Sequence, residues 1–169
     1  YFSIFIREKI GRKDIKMGLL TFKGGVHPND GKSLAKDKAI VDLLPQGDLV
    51  YPLSQHIGAP AKPVVAKGDH VLKGQKIAEA GGFVSAPIYA SVSGTVKAIE
   101  PRVNPTGSKV NSIIIANDGQ YEEVEYPQPK PLSELTKEEI LNIIGEAGVV
   151  GMGGAGFPTR VKLSPKEPD

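Results

Sequence analysis

Short apolar runs separated by turns fill the middle of the chain, between residues 62 and 116. Ala90–Ile99 is a typical run, and Lys67-Gly68-Asp69 is a typical turn. Strands of about four to seven residues, with a glycine or proline turn between each pair, indicate an all-β sandwich or barrel. We therefore predict a mainly β fold without a long helix in this region, built from two similar halves at about residues 62–78 and 86–116.

The apolar side chains of these runs are the predicted core of the β fold. A charged side chain placed among them would lack a partner and would destabilise the protein. We expect the following side chains to be mostly buried: Val64, Val71, Ile77, Val84, Val96, Ile99, Ile113 and Ile115.

Turn residues predominate before this region. Gly24-Gly25 and Pro28-Asn29-Asp30-Gly31 predict an ordered loop or edge segment, rather than a helix, within an N-terminal segment at residues 17–45. Residues 49–57 predict a strand that Pro52 interrupts. Because proline cannot donate a ladder hydrogen bond, we expect this strand at the edge of a sheet.

The first residues differ from the rest of the chain. Their apolar patch, Phe2 to Ile6, is far shorter than the roughly 20 residues of a membrane span. Basic residues follow the apolar ones, which is the wrong order for a signal peptide. We interpret residues 1–16 as an upstream extension or a cloning remnant, with Met17 as a natural start and an amphipathic anchor as the alternative.

A helical pattern begins after a proline-rich stretch. Residues 127–136 are predicted to be a stiff, extended linker. Thr136 and Glu139 then have the spacing of a capping box, and Gly148 is well placed to end the helix. Apolar residues recur between them at helical spacing, at Ile140, Ile143, Ile144 and Ala147. We predict a short amphipathic helix whose apolar stripe packs against a core.

Composition limits the chemistry of the chain. There is no cysteine, which excludes disulfides, thiolate zinc sites and iron–sulfur clusters within these 169 residues. His27, His56 and His70 are far apart and lack the spacing of metal ligands, so we predict no metal site. The net charge of +2 comes from scattered lysines with acids nearby, which argues against a nucleic-acid partner.

A glycine-rich stretch follows the predicted helix, with five glycines in residues 148–156. Its backbone N–H groups could approach a ligand closely, as phosphate-binding loops require. A Rossmann fingerprint does not fit, because a helix precedes the stretch and Pro158 follows it. A Walker loop does not fit either, because no Gly-Lys-Ser/Thr comes next. Since glycine commonly ends helices, a simple helix stop is the alternative.

The β region resembles the lipoyl/biotinyl-like barrel-sandwich hybrid fold. The resemblance rests on two half-motifs, Gly68-Asp69-x-Val71-x-Lys73-Gly74-Gln75 and Ala86-Pro87…Ser93-Gly94-Thr95-Val96. It implies a barrel-sandwich hybrid domain at residues 46–126. Carrier members of that fold present a modified lysine at the hairpin tip between the half-motifs. Here the tip, residues 79–83, has no lysine, and Lys76 before it is expected to be solvated, so a carrier function is not expected.

The stretch GMGGAGFPTRVK, residues 151–162, resembles the flavin- and NADH-binding loop in the flavin subunit of respiratory complex I, with the pattern G-R-G-G-A-G-F-P-T-G-x-K. The matching residues are Gly151, Gly153, Gly154, Ala155, Gly156, Phe157, Pro158, Thr159 and Lys162. The resemblance implies that the glycine backbone lies against FMN and NADH, with Phe157 near the nicotinamide and Lys162 near a phosphate. Met152 and Arg160 depart from the pattern.

The start FKGGVHP, the β region and this loop together resemble the RnfC family, the C subunits of Rnf electron transport complexes, over about residues 22–162. The matching subunit of the sodium-pumping NADH:quinone reductase is more distantly similar. The resemblance implies that residues 137–169 begin a flavin/NADH-binding domain, which is followed by a region with 4Fe-4S clusters. It also implies an oxidoreductase that transfers electrons between NADH and ferredoxin.

The same resemblance implies partners and a location. The partners would be the other Rnf subunits, including membrane subunits, and the chain would lie peripherally on the cytoplasmic side of the cell membrane. No catalytic acid–base residues are expected, and these 169 residues alone are expected to hold no cofactor and to be inactive. A non-catalytic barrel-sandwich adaptor that docks partner proteins is the alternative function, since the barrel carries no evident chemistry of its own.

Overall fold

The computed structural model describes residues 28–165, so the predictions for residues 1–27 lie outside it. The described chain divides into two compact units, at residues 28–42 and residues 43–165. The first unit carries one 3-10 turn, Lys32–Leu34. Just before it, the side chains of Asn29 and Asp30 each accept a hydrogen bond from the backbone amide two residues further along the chain. This geometry agrees with the loop that the turn residues predicted there.

Seven short strands and two α-helices make up residues 43–165. The strands are β1 (Asp48–Pro52), β2 (Lys62–Pro63), β3 (His70–Val71), β4 (Lys76–Glu79), β5 (Ile88–Tyr89), β6 (Gly94–Val103) and β7 (Lys109–Asn117). The helices are α1 (Lys137–Glu146) and α2 (Thr159–Lys162), and a 3-10 turn at Leu132–Glu134 precedes α1. The chain from 62 to 116 is therefore free of helix, as predicted.

The strands form two antiparallel sheets, and each sheet contains strands from both predicted halves of the barrel. One sheet has the order β1-β7-β6-β3, and the other has the order β2-β4-β5. Val71 of β3 lies opposite Gly94 of β6, and Ala78 of β4 lies opposite Ile88 of β5. Each sheet thus joins a strand from the first half to a strand from the second. This interleaving is the barrel-sandwich arrangement that the half-motifs predicted.

Aliphatic side chains from both sheets meet in one core. Five predicted core residues are at most 1% exposed, namely Val71, Ile77, Val96, Ile113 and Ile115. Val96 of β6 lies directly opposite Ile115 of β7, so the two side chains share one face of the sheet. Tyr51 of β1 closes the core at the edge strand, where its hydroxyl lies 2.9 Å from Ser91 Oγ.

Three core predictions differ from the structure. Val64 is 50% exposed, so its predicted burial is wrong. It follows the edge strand β2, and successive side chains of an extended chain point to opposite faces. Val65 is consequently the residue that packs on the core. Val84 and Ile99 are only half-buried, because Val84 lies in the hairpin loop and Ile99 packs at the margin of the core.

The two local signals of the sequence are confirmed. β1 is an edge strand that ends at Pro52. α1 begins with the predicted capping box, in which Glu139 N–H donates to Thr136 Oγ1 and the Glu139 carboxylate accepts from Thr136 N–H. The helical conformation ends before Gly148, which has a φ of +67°. That left-handed conformation favours glycine and ends a helix.

The expectation that the apolar stripe of α1 packs against a core is wrong for the described residues. No side chain of α1 is buried, and Ile143 is 53% exposed. Within residues 28–165, α1 lies beside the four-residue helix α2, and its last residue, Glu146, contacts Lys76 and Tyr89 of the barrel. These neighbours are too small to cover the stripe.

Val96→Asp tests the core. We expect the free energy of unfolding to fall by roughly 3–5 kcal/mol, because an unpaired charge would replace a side chain that is 1% exposed. Val64→Asp is the matched control and should change stability by less than about 0.5 kcal/mol. Urea denaturation measures both. Equal losses in the two variants would contradict this description of the core.

Asp118→Asn tests a hydrogen-bonded carboxylate beside the β6–β7 sheet. The Ser93 hydroxyl at 2.7 Å, followed by the Gln120 N–H, lowers the pKa of Asp118. A lowered pKa in the folded state adds stability above the ordinary aspartate pKa of about 3.9, and this stability is lost as pH falls through the lowered value. The variant should therefore lose less stability than the wild type between about pH 5 and pH 2. Parallel urea midpoints across that range would refute the prediction.

Candidate functional site

The glycine stretch folds into a closed loop between α1 and α2. Val150 and Pro158 form an antiparallel bridge, and Gly151 N–H donates to the Phe157 carbonyl at 3.0 Å. Thr159 N–H donates to the Val149 carbonyl at 2.9 Å, which secures the base of the loop. The two arms of the loop are thus tied by backbone hydrogen bonds, and residues 152–156 lie beyond them.

The glycines of this loop differ in what surrounds them. Gly156 has a φ of +63°, and a Cβ placed on it would stand 3.0 Å from the Gln55 carbonyl oxygen. Gly153 and Gly154 have neither a positive φ nor any neighbouring atom within 4 Å of an added Cβ. The backbone geometry therefore explains Gly156, whereas it does not require glycine at 153 or 154. At those two positions the absent side chains leave the backbone open to approach.

Three of the predicted site residues come together at the base of the loop. Lys162 Nζ lies 5.9 Å from the centre of the Phe157 ring, within the range of a cation–π contact. The same Nζ would stand 3.3 Å from a Cβ on Gly151. Thr159 begins α2 one residue after the buried Pro158. The positive charge of Lys162 is consequently held beside the glycine backbone.

The two departures from the complex I pattern take different positions. Met152 is 99% exposed at the outer part of the loop. Arg160 extends in the other direction, where its guanidinium donates to Asn142 Oδ1 at 2.9 Å on α1. Arg160 therefore ties α2 to α1 and does not take the place of the missing loop arginine.

A wide, open depression, or cleft, lies beside the contact between the loop and the barrel. It has a volume of about 590 Å³, which lies within the range of small-molecule sites, about 300–1,000 Å³. On the loop side it is lined by Gly151, Gly154, Ala155 and Gly156, and on the barrel side by residues 54–57 with Asn104 and Thr106. Phe157, Thr159 and Lys162 do not line it. Gly153 does not line the cleft either, and Gly151 belongs both to the cleft and to the base of the loop, so the structure does not bring all the predicted site residues into one pocket.

The barrel holds the loop at residues that sequence reasoning did not assign to the site. Ile57 N–H donates to the Ala155 carbonyl at 3.0 Å, and Gly156 packs on the backbone of Gln55 and His56. At the other end of the loop, a Cβ on Gly148 would stand 2.7 Å from the Pro87 carbonyl oxygen. No local pattern in the sequence signals these contacts, because they join segments about 60 to 100 residues apart.

A second tie connects the barrel to the end of α1. Lys76 of β4 pairs with the Glu146 carboxylate, and the Tyr89 hydroxyl donates to the Glu146 carbonyl. The hydrogen bond to Glu146 raises the pKa of Lys76, and burial raises the pKa of Tyr89. Lys76 keeps 36% of its side chain exposed, so it is partly solvated as expected, and it also has a partner that the sequence did not indicate. α1 has no basic residue in its last turn, and Lys76 brings a cation to that end of the helix dipole.

Among residues 28–165, no group of three or more histidine, aspartate or glutamate side chains is arranged to hold a metal ion. None of the helices in the same part of the chain has the length and apolar character needed to cross a membrane.

Two interleaved sets of short antiparallel strands, closed around one aliphatic core, define a barrel-sandwich hybrid. Residues 20–120 match the family model described as the RnfC barrel sandwich hybrid domain. This match covers more than half of the 169 residues, and the chain belongs to that family. The resemblance noted in the sequence is thereby confirmed.

Curated relatives extend the similarity beyond the barrel domain. The chain is 51% identical over 149 residues to the C subunit of the proton-translocating ferredoxin:NAD(+) oxidoreductase complex of Clostridium ljungdahlii, covering 87% of this chain and 32% of that protein. It is 42% identical over 147 residues to the Na(+)-translocating counterpart of Acetobacterium woodii, covering 85% and 33%. It is 42% identical over 155 residues to the C subunit of the ion-translocating oxidoreductase complex of Vibrio cholerae, covering 89% and 20%. The chain therefore spans a third or less of the length of these relatives.

Gly156→Ala tests the contact between loop and barrel. We expect the free energy of unfolding to fall by about 1–3 kcal/mol, because alanine is strained at positive φ and its Cβ would press on the Gln55 carbonyl. Gly153→Ala, in the same loop but with open space around it, should stay within about 0.5 kcal/mol of the wild type. Thermal and urea unfolding compare the two. A loss at Gly153 as large as the loss at Gly156 would show that the contact is unimportant.

Proposed function

We propose that the loop of residues 151–162 binds the phosphate-bearing part of a nucleotide cofactor, with FMN and NADH as the ligands. The observation that carries the proposal is the open space around Gly153 and Gly154, where the fold itself does not require glycine. Exposed backbone N–H groups in such a loop are suited to bind anionic oxygens. The Lys162 ammonium, held beside Gly151, adds a positive charge at the base of the loop.

The residues present fit a flavin or nicotinamide nucleotide. The loop offers backbone donors and a cation for phosphates, and the half-buried Phe157 offers an aromatic surface beside that cation. The cleft next to Gly154 has the volume of a small-molecule site. When bound, a flavin supplies the hydride and electron chemistry itself. The chain's own contribution is to bind and orient the nucleotide.

At the level of the assembly, we propose that the chain is the N-terminal part of the C subunit of an ion-translocating ferredoxin:NAD oxidoreductase complex. The names and identities of the relatives support this proposal. Other subunits of that complex, including membrane subunits, would be its partners, at the cytoplasmic side of the membrane. Any 4Fe-4S clusters would be held by residues outside this sequence, which has no cysteine. The boundaries 46–126, 127–136 and 137–169 stay predictions.

A non-catalytic adaptor is the second candidate, because of one observation at the hairpin between β4 and β5. Phe83 is 79% exposed in this hairpin, at the position where carrier proteins present their lysine. An exposed aromatic side chain at a hairpin tip is suited to contact another protein. On this proposal the glycine loop would serve only to end α1.

Gly154→Val and Lys162→Ala in the full-length gene product separate the two candidates. Removing the lysine should weaken FMN binding by about 1.5–3 kcal/mol, the contribution of a charge-assisted hydrogen bond. Gly154→Val should weaken it more, because a branched side chain would occupy the open space that the cofactor needs. Lys67→Ala, at an exposed turn lysine of the barrel, is the matched control and should bind FMN as the wild type does.

The measurements are a fluorescence titration with FMN and an assay of NADH oxidation. If both loop variants kept the FMN affinity and the NADH turnover of the wild type, the cofactor role of the loop would be rejected. In that case Phe83→Ser should instead reduce assembly of the protein with its partners, as the adaptor function requires.

A further inference from the structure

The connection between barrel and loop depends on a buried histidine with both ring nitrogens in use. His56 is 9% exposed and lies at the end of the segment that follows β1. Its Nε2 is 3.1 Å from the Ala86 backbone nitrogen, and its Nδ1 is 3.1 Å from the Ile57 carbonyl oxygen. The ring therefore bridges the end of the β4–β5 hairpin and the segment that contacts the loop.

These partners determine the protonation of the ring. A backbone N–H can only donate, so Nε2 of His56 must accept the hydrogen bond from Ala86. The proton of the neutral ring is then on Nδ1, which donates to the Ile57 carbonyl. No proton remains for a second donor function, and the ring is saturated by backbone groups. His56 is therefore suited to hold two segments together, rather than to act on a ligand.

Ile57 transmits this arrangement to the glycine loop. Its carbonyl accepts from His56, while its N–H donates to the Ala155 carbonyl at 3.0 Å. Next to this bond, a Cβ on Gly156 would stand 3.1 Å from His56 Cα, so the two backbones are in close contact. Consecutive hydrogen bonds thus join Ala86 to His56, His56 to Ile57, and Ile57 to Ala155.

The outer part of the loop has no comparable support. Gly153 and Gly154 have no neighbouring atoms within 4 Å of an added Cβ. Ordering a free backbone costs conformational entropy at every residue, so a loop that is already held at one side binds a ligand at lower cost than a free one. The contact with Ile57 thus restricts the loop before any ligand arrives.

We infer that His56 is a positioning residue of the nucleotide site: it fixes Ile57, and through Ile57 the backbone of Ala155 and Gly156, so that the loop N–H groups are oriented for a phosphate. The inference rests on the proposed function of the loop. According to this inference, residues of the barrel-sandwich domain help to bind the cofactor by positioning the loop.

Three variants of the full-length gene product test the inference. His56→Leu removes both ring hydrogen bonds, whereas His56→Gln keeps an acceptor that can reach the Ala86 N–H. Ser85→Ala is the matched control: Ser85 is also 9% exposed in the same hairpin, but it bonds the Ala59 carbonyl and the Gly81 N–H and does not touch the loop. Gly156→Ala perturbs the same contact from the loop side, and it replaces His56→Leu in the comparison if that variant does not fold.

The first measurement is hydrogen exchange without any cofactor. In His56→Leu and Gly156→Ala, the amides of Ile57, Gly151 and Thr159, which donate the backbone hydrogen bonds that hold the loop, should exchange about tenfold faster than in the wild type, which is the effect of losing one hydrogen bond. His56→Gln should restore most of the protection, and Ser85→Ala should leave these amides unchanged. Unchanged exchange in both His56→Leu and Gly156→Ala would overturn the inference.

The second measurement is FMN affinity. His56→Leu should raise the dissociation constant about tenfold, with His56→Gln in between and Ser85→Ala equal to the wild type. If Gly154→Val weakens FMN binding while His56→Leu does not, the proposed function stands and the positioning role is wrong. If Gly154→Val has no effect either, the proposed function fails, and the positioning role for a nucleotide fails with it.

Discussion

The antiparallel pairing of β6 with β7 is the interaction on which the rest of the structure depends. These are the two longest strands, and their paired faces place Val96 opposite Ile115 and bring Ile113 into the same core. The remaining strands have two to five residues, which is too few to be stable in isolation. Each becomes stable by pairing with β6 or β7 or by packing over them. The three-stranded sheet covers the core that the long hairpin begins, and this is why Ile77 is fully buried.

The barrel also determines where the glycine loop lies. The two ends of the loop are joined by backbone hydrogen bonds within the loop, but the orientation of the loop comes from its contacts with Ile57, His56 and Pro87 on the barrel. One side of the loop is therefore held firmly, while the backbone at Gly153 and Gly154 stays open. A loop that is held on one side and has open backbone at two glycines on the other is suited to receive a ligand without a large loss of entropy on binding. The barrel that holds the loop is the part of the chain that matches the RnfC barrel-sandwich family.

Much of this architecture could be predicted because its signals are local. Glycine turns between short apolar runs indicated the β fold, Pro52 indicated an edge strand, and Thr136 with Glu139 indicated the start of α1. The failures come from information that is not local. Val64 and Val65 are adjacent β-branched residues, and only the pairing of β2 at a sheet edge decides which of them faces the core. The pairing of Lys76 with Glu146 was not predicted either, because nothing near Lys76 in the sequence indicates that partner.

The sequence by itself determined the elements, the order of the two barrel halves and the family, since these follow from turn chemistry, apolar alternation and long motifs. Only the tertiary structure divided the glycines of the loop into two kinds. Gly156 is required by its positive φ and by the backbone of Gln55, whereas Gly153 and Gly154 stand in open space. The sequence shows the same residue at all three positions. The difference arises because side-chain space is set by neighbours about 100 residues away, which only the packing of the loop on the barrel brings into contact.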